Sequence, residues 1–238
     1  MDLNADVGEG FGVYAPADDA ALLPFVTSVS VACGFHAGDP LLMERTVRLA
    51  VAAHVAVGAH PGYPDRRGFG RRAMGLSPEE IEADVLYQVG ALGAFVRAHG
   101  AAVAHVKPHG ALYHRAASDA PAAQAVARAC VRAGIPILIG PIGSEVMRGA
   151  ASSQGVRYAA EGFADRAYDA AGRLRPRDEA GALVTDPEAA GAQAVRLARE
   201  SSAETLCLHG DTPGAAAIAR AVRAALEQAG VPIAPLAR

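Results

Sequence analysis

Residues 28–60 read SVSVACGFHAGDPLLMERTVRLAVAAHVAVGAH. A β-branched run at 29–33 ends in Gly34-Phe35-His36 and then Gly38-Asp39. An amphipathic stretch rich in Leu, Ala and Val covers 40–53, and a second short apolar run at 56–59 ends in His60. Strand, helix and strand in this order predict a βαβ unit, with the two strands parallel and the crossover right-handed. In such a unit His36, Asp39 and His60 all fall at the carboxyl ends of the strands.

The same rhythm extends in both directions. Further strands are predicted at 2–7, 103–106, 135–139, 157–161 and 205–208, and further helices at 18–26, 78–99, 119–133, 144–154, 187–200 and 213–229. Helix starts are marked by Ser77-Pro78-Glu79-Glu80, Asp186-Pro187-Glu188 and Thr212-Pro213, each a capping residue followed by an N1 proline. Gly100, Gly134, Gly155 and Gly230 stand where left-handed C′ residues belong. No linker, repeat or charge block divides the chain. The expectation is an α/β fold: one βα-barrel domain over 1–238 with about seven parallel strands, and a doubly wound open sheet as the alternative. Both architectures place ligands at the carboxyl ends of their strands.

Composition removes several function classes. The formal net charge is −3 with both signs interspersed, which argues against nucleic acid or an anionic membrane as partner. No apolar run is long enough to span a bilayer, and MDLNADVGEG lacks the basic and apolar regions of a signal peptide. Cys33, Cys130 and Cys207 are far apart and odd in number. A disulfide framework is therefore not expected, and a cytoplasmic location is.

Six of the seven predicted strands deliver an ionisable group to one rim. The first ends in Asn4-Ala5-Asp6 before Gly8-Glu9-Gly10, the second in His36, and the third in His60. The fourth carries Lys107 and His109, the sixth ends in Glu161 before Asp165-Arg166, and the seventh ends in His209-Gly210-Asp211. Such clustering of titratable groups is the anatomy of an active site. Lys107 is the only lysine in a chain with 21 arginines. A compact ammonium there can serve as a point charge for carboxylate or phosphate, or as a proton donor if desolvation lowers its pKa.

Plainer readings apply to other residues. Asp39 and Asp211 are candidate N-caps. His54 and His99 fall in helices, His105 is expected to face the barrel wall, and His114 an exposed loop. Arg66, Arg67, Arg71 and Arg72 read as a solvated run, and Cys33 as a buried, inert thiol. The chain has no G-x-x-x-x-G-K-[ST], H-E-x-x-H or G-x-S-x-G motif, and Gly8-Glu9-Gly10-Phe11-Gly12 is only a partial phosphate-binding turn.

The segments DLNADVGEGFG, SVACGFHAGDP, VGAHPGYPDRRGFGRR, YQVGAL, HVKPHGALYH, EGFADRAYDAAGRLRPR and LHGDTPGA resemble the LamB/YcsF family. They run in the family's order from residue 2 to about residue 220. The resemblance implies a barrel related to polysaccharide-deacetylase and YdjC-like hydrolases. It also implies the role of the A subunit in an ATP-dependent 5-oxoprolinase, opening 5-oxo-L-proline to L-glutamate beside subunits B and C; a homo-oligomer is also compatible. On the family pattern Asp6, His36, His60, Lys107, His109, Glu161, Asp165 and His209 line the pocket. The expected catalytic set is Asp6, His36, His60, Lys107, His109, Glu161 and His209. Asn4, Asp165, Arg166 and Asp211 are expected to contact substrate, and Gly8, Gly10 and Lys107 to contact ATP. Two rival functions stay open. A metal-dependent deacetylase or hydrolase would hold a divalent ion through Asp6, His60 and either His36 or His109. A non-catalytic barrel would only capture ligand for its partners.

Overall fold

The computed structural model describes residues 1–12, 14, 18–169, 172–177, 179–210, 212 and 214–236. The first strand, β1 (Asp2–Val7), alternates two chemistries with the period of the pleat. Leu3, Ala5 and Val7 pack into the main apolar core, whereas Asp2, Asn4 and Asp6 are buried and polar. Around it lie α1 (Asp19–Leu22), which runs on as a 3-10 turn to Phe25, then β2 (Ser28–Ala32), α2 (Pro40–Ala52), β3 (Ala56–His60), α3 (Pro78–Ala98), α4 (Gly110–Ser118) and α5 (Ala120–Ala133). They are followed by β4 (Ile137–Pro141), α6 (Glu145–Ser153), β5 (Arg157–Phe163), α7 (Pro187–Glu200), β6 (Thr205–His209) and α8 (Ala215–Gln228).

The strands form one six-stranded parallel sheet in the order β3-β2-β1-β6-β5-β4. Its two edges are joined through the segment 104–107. Ala59 donates to the His105 carbonyl and Lys107 to the Ala59 carbonyl, at 2.8 and 2.9 Å. On the other side Val106 donates to Ile137 and Ile139 to Val106, both at 2.9 Å. The seventh strand expected at 103–106 is therefore reduced to one bridging residue, Val106, between β3 and β4. Pro108 follows without an N–H to extend the ladder, and the His109 amide turns to the Pro61 carbonyl.

The closed end of the barrel is polar: Asp2 accepts from Thr27, Ser28 and Thr205. On the outer face the helix-start signals at Ser77 and Asp186 hold, whereas α8 starts at Ala215 with Gly214 as its N-cap and the Thr212 hydroxyl turned to Asp165. Ser77 and Glu80 make a reciprocal capping box at α3, and Asp39 and Asp186 cap α2 and α7. Gly100, Gly134, Gly155 and Gly230 all adopt positive φ. Two further expectations need correction. His114, expected in a loop, lies in α4, a helix that 110–118 form directly before α5. The strand expected at 135–139 starts two residues later, because Pro136 delays the ladder. No helix among the described residues is long and apolar enough to cross a membrane.

Candidate functional site

Residue 107 reaches inward from the bridging segment, and its side chain is 2% exposed. Nζ lies 2.7 Å from Asp6 Oδ1 and 2.9 Å from both Glu161 Oε1 and Asn4 Oδ1, with Cys207 Sγ at 3.1 Å. Glu161 is held further by Asn4 Nδ2 at 3.1 Å and by the Tyr113 hydroxyl at 2.7 Å. Burial works against the Lys107 charge, but Asp6, Cys207 and Glu161 outweigh it and hold the pKa well above the lysine range. The ammonium form of Lys107 is thus favoured between two carboxylates, and the residue lines the cavity beside them. Burial likewise pushes Asp6 up, and the charges of His60 and Lys107 reverse this, leaving it well below the usual carboxylate range.

Beside this pillar stands an imidazole cluster. His60 Nε2 lies 3.3 Å from Asp6 Oδ2 and 3.0 Å from His109 Nδ1. His36 stacks on His109 with ring centroids 3.8 Å apart. Glu9 Oε1 sits 3.3 Å from His109 Nδ1, 3.4 Å from His36 Nε2 and 3.9 Å from His60 Nε2. These are ion-pair distances without hydrogen-bond alignment, for Glu9 Oε1 and both His36 nitrogens lack a hydrogen-bond partner. Burial raises the Glu9 carboxyl, but His109 and His36 pull it far below the carboxylate range. Burial and the neighbouring His109 push His36 down to about 3. The donor atoms of Glu9, His36, His60 and His109 all lie within 4.8 Å of one another, a group that could hold a metal ion. Asp6 belongs instead to a second such group with Cys207 and His209.

The backbone is shaped around the cluster. A Cβ on Gly70, whose φ is +64°, would stand 2.7 Å from His36 Cβ and 2.9 Å from His109 Cδ2. A Cβ on Gly62 would meet His36 Nδ1 at 2.6 Å. Phe69 adopts φ +53°, a conformation rare for a bulky residue, and its carbonyl lies 2.7 Å from His109 Nε2.

Across the barrel, Asp165 lies 2.9 Å from His209 Nδ1 and also accepts from the His209 amide and the Thr212 hydroxyl. His209 Nε2 is left for the cavity. That cavity, about 390 Å³, opens over Asp6, Glu9, His60, His109, Glu161 and His209. Its mouth carries Arg71, Arg166, Arg175 and Arg177. Arg166 is buried; it donates to the Arg175 carbonyl, yet its Nε has no hydrogen-bond partner among the described residues.

The sequence-predicted residues therefore divide. Asp6, His36, His60, Lys107, His109, Glu161 and His209 converge on one place at the carboxyl rim, and Arg166 reaches the mouth. Asn4 lies beneath, with its amide spent on Lys107, Glu161 and Thr205, so it supports the site and does not face substrate. Asp165 orients His209 and has no free edge for a ligand. The Gly8 amide donates to Asp19 at 2.7 Å and the Gly10 carbonyl accepts from Gly38, so the Gly8 amide is spent within the chain. Asp211 lies outside the described residues. Sequence reasoning missed Glu9, whose signal was its place directly after the first strand. It also missed Tyr113, and Arg71, read as solvated although it lines the mouth. His105 is buried, 3.0 Å from Ser30 Oγ, and Cys33 is inert as expected, its thiol pushed up to about 12 by burial.

The LamB/YcsF family profile matches residues 1–238. The chain is 52% identical to the 5-oxoprolinase A subunit of Methylococcus capsulatus, covering 99% of this chain and 95% of that one. It is 50% identical to a 5-oxoprolinase A subunit of Thermus thermophilus, covering 98% of each. Among solved structures it superposes on a lactam utilization protein from Thermus thermophilus with TM-score 0.90, at 48% identity over 100% of this chain and 99% of that one.

Proposed function

The chain belongs to the LamB/YcsF family, and from that premise we infer that the cavity is a lactam site and the chain is the A subunit of a 5-oxoprolinase. The substrate is 5-oxo-L-proline, the product L-glutamate, and ATP the co-substrate. Subunits B and C complete the enzyme in the cytoplasm, and the whole of 1–238 acts as one domain.

The observation that carries this reading is a small cavity with two unlike ends. Its mouth offers the buried, incompletely paired Arg166, suited to a substrate carboxylate. Its floor offers Asp6 and the Asp165-held His209, suited to moving protons at an amide. A lactam is too stable to hydrolyse readily, so we assign ATP the task of phosphorylating the amide oxygen. Water then adds to the activated carbon, the carbon–nitrogen bond breaks to leave an acyl phosphate, and a second water hydrolyses it to the product carboxylate and free phosphate. Asp6 Oδ2 takes the proton from water and His209 Nε2 gives one to the leaving nitrogen. Glu161 is less free to meet water, because Lys107, Asn4 and Tyr113 occupy both its oxygens.

Calorimetric titration of 5-oxoproline into the chain tests the reading, with proline as the analogue lacking the lactam carbonyl. Preference for 5-oxoproline is expected, with affinity lowered at least tenfold in Arg166→Ala. Equal binding of proline, or unchanged binding in Arg166→Ala, sinks it. Asp6→Asn should abolish turnover with partner subunits while keeping binding, which separates an enzyme from a capture module.

A further inference from the structure

The outer nitrogens of two rings in the imidazole cluster are fixed. His60 Nδ1 lies 2.7 Å from the Lys107 carbonyl, and His109 Nε2 lies 2.7 Å from the Phe69 carbonyl. A carbonyl only accepts, so these two nitrogens are the N–H donors. In neutral rings the inner nitrogens, His60 Nε2 and His109 Nδ1, then carry lone pairs, and they face each other at 3.0 Å. Glu9 Oε1 points a carboxylate lone pair at the same spot from 3.9 and 3.3 Å. His36 Nε2 closes the group, 3.4 Å from Glu9 Oε1. Three acceptors converge here, and among the described residues Glu9 Oε1 and both His36 nitrogens are buried without a hydrogen-bond partner. Each such orphan destabilises the fold unless something satisfies it.

We propose that Glu9, His36, His60 and His109 form a binding site for one divalent transition-metal cation. A cation among the four donors turns mutual repulsion into ligation. The spacing suits it: bonds of about 2.0–2.2 Å place tetrahedral donors roughly 3.3–3.6 Å apart; four separations within the cluster run from 3.0 to 3.9 Å, and all the donor atoms lie within 4.8 Å of one another. Three imidazoles and one carboxylate favour zinc, manganese, iron, cobalt or nickel over magnesium or calcium. The carbonyls behind His60 and His109 are the outer partners that orient ligating imidazoles. Gly62 and Gly70 leave room for His36 where a Cβ would crowd it. The site borders the cavity through Glu9, His60 and His109, so the cation would stand beside Asp6, within reach of a bound substrate.

The test uses the full-length chain without substrate or partner, so its outcome is independent of the lactam reading. Chelator-stripped protein is titrated with Zn²⁺, Mn²⁺ and Co²⁺ by calorimetry, with Co²⁺ also followed by its visible absorption. One equivalent should bind. Glu9→Gln and His36→Gln should each weaken binding by at least about 100-fold, while His99→Gln, at a histidine paired with Glu44 outside the cluster, should not change it. Should either ligand variant fail to fold, nitrogen-15 spectra of wild-type histidines replace it: cation addition should move the resonances of His36, His60 and His109 and leave His54 in place. Failure of all three cations to bind more tightly than about 100 µM overturns the proposal. So does binding that is indifferent to both ligand variants, or a His60–His109 pair that keeps a shared proton under excess cation.

Discussion

At the scale of single residues, Lys107 shows why one amine persists in an arginine-rich chain. Its ammonium meets Asp6, Glu161 and Asn4 within 2.9 Å. A planar guanidinium could not radiate its donors into so narrow a space. Lys107→Met should strand two buried carboxylates and cost about 3–5 kcal/mol, read from urea unfolding. Lys107→Arg keeps the charge but overfills the barrel, and turnover with partner subunits should fall at least about tenfold, roughly 1.4 kcal/mol of barrier; a near-normal rate would refute so tight a fit. His105, one pleat below, gives a pH prediction. Burial, with the Lys107 charge adding to it, pushes its pKa from 6.5 down to about 3. Below pH 6.5 the unfolded chain takes up a proton that the folded chain refuses. Stability from this residue is intact above about pH 6.5 and is lost as pH falls toward 3, at up to about 1.4 kcal/mol per unit. The urea midpoint of the wild type should therefore drop more steeply between pH 6.5 and 4.5 than that of His105→Gln. Parallel slopes would show that the buried ring carries no such cost.

At the scale of elements, what the sequence announces is what local chemistry decides. Ser77-Pro78-Glu79-Glu80 and Asp39-Pro40 specify helix starts by capping alone, and the structure uses both. The rim of polar residues was legible for the same reason: strand direction fixes which end receives Asp6, His36, His60 and His209. Less legible was whatever depends on closure of the ring. Val106 bridges two edges that are distant in sequence, so the seventh strand could be placed but its brevity could not. Glu9 was hidden because a carboxylate between two glycines resembles a phosphate turn until α1 is seen to occupy the Gly8 amide through Asp19. Arg71 and Arg166 needed the folded loops to bring them to one mouth. The loop carrying Gly70 yields a prediction at this scale. Gly70→Ala adds a methyl at φ +64° against His36 and His109. Turnover should fall by more than tenfold, while the far-UV circular dichroism of the barrel stays unchanged. Full activity in Gly70→Ala would mean that the stacked imidazoles tolerate displacement and are not part of the working site.

At the scale of the whole molecule, βα units along nearly all of the chain frame the cavity at the carboxyl rim. The βα units run from Asp2 to Gln228, and the cavity they frame, about 390 Å³, has an acidic and imidazole floor beneath an arginine mouth. A small lactam with a carboxylate fits that division of charge. ATP makes a different demand: it needs backbone amides or a lysine for its phosphates, yet here the Gly8 amide is bound to Asp19 and Lys107 is enclosed by its own carboxylates. Glu9 and Asp6, both held ionised, would repel a triphosphate lying on the cavity floor. The arginine mouth could meet a phosphoryl group presented from outside. Nucleotide handling is therefore expected to depend on the partner subunits. The purified chain alone should hydrolyse ATP at a rate close to the buffer blank, and 5-oxoproline should raise that rate less than twofold. Adding subunits B and C should produce ADP and glutamate in equal amounts, followed by coupled assays of both products. Vigorous 5-oxoproline-dependent ATP hydrolysis by the isolated chain would show that the arginine mouth binds the whole nucleotide, and that the phosphoryl transfer assigned to the assembly takes place within this barrel.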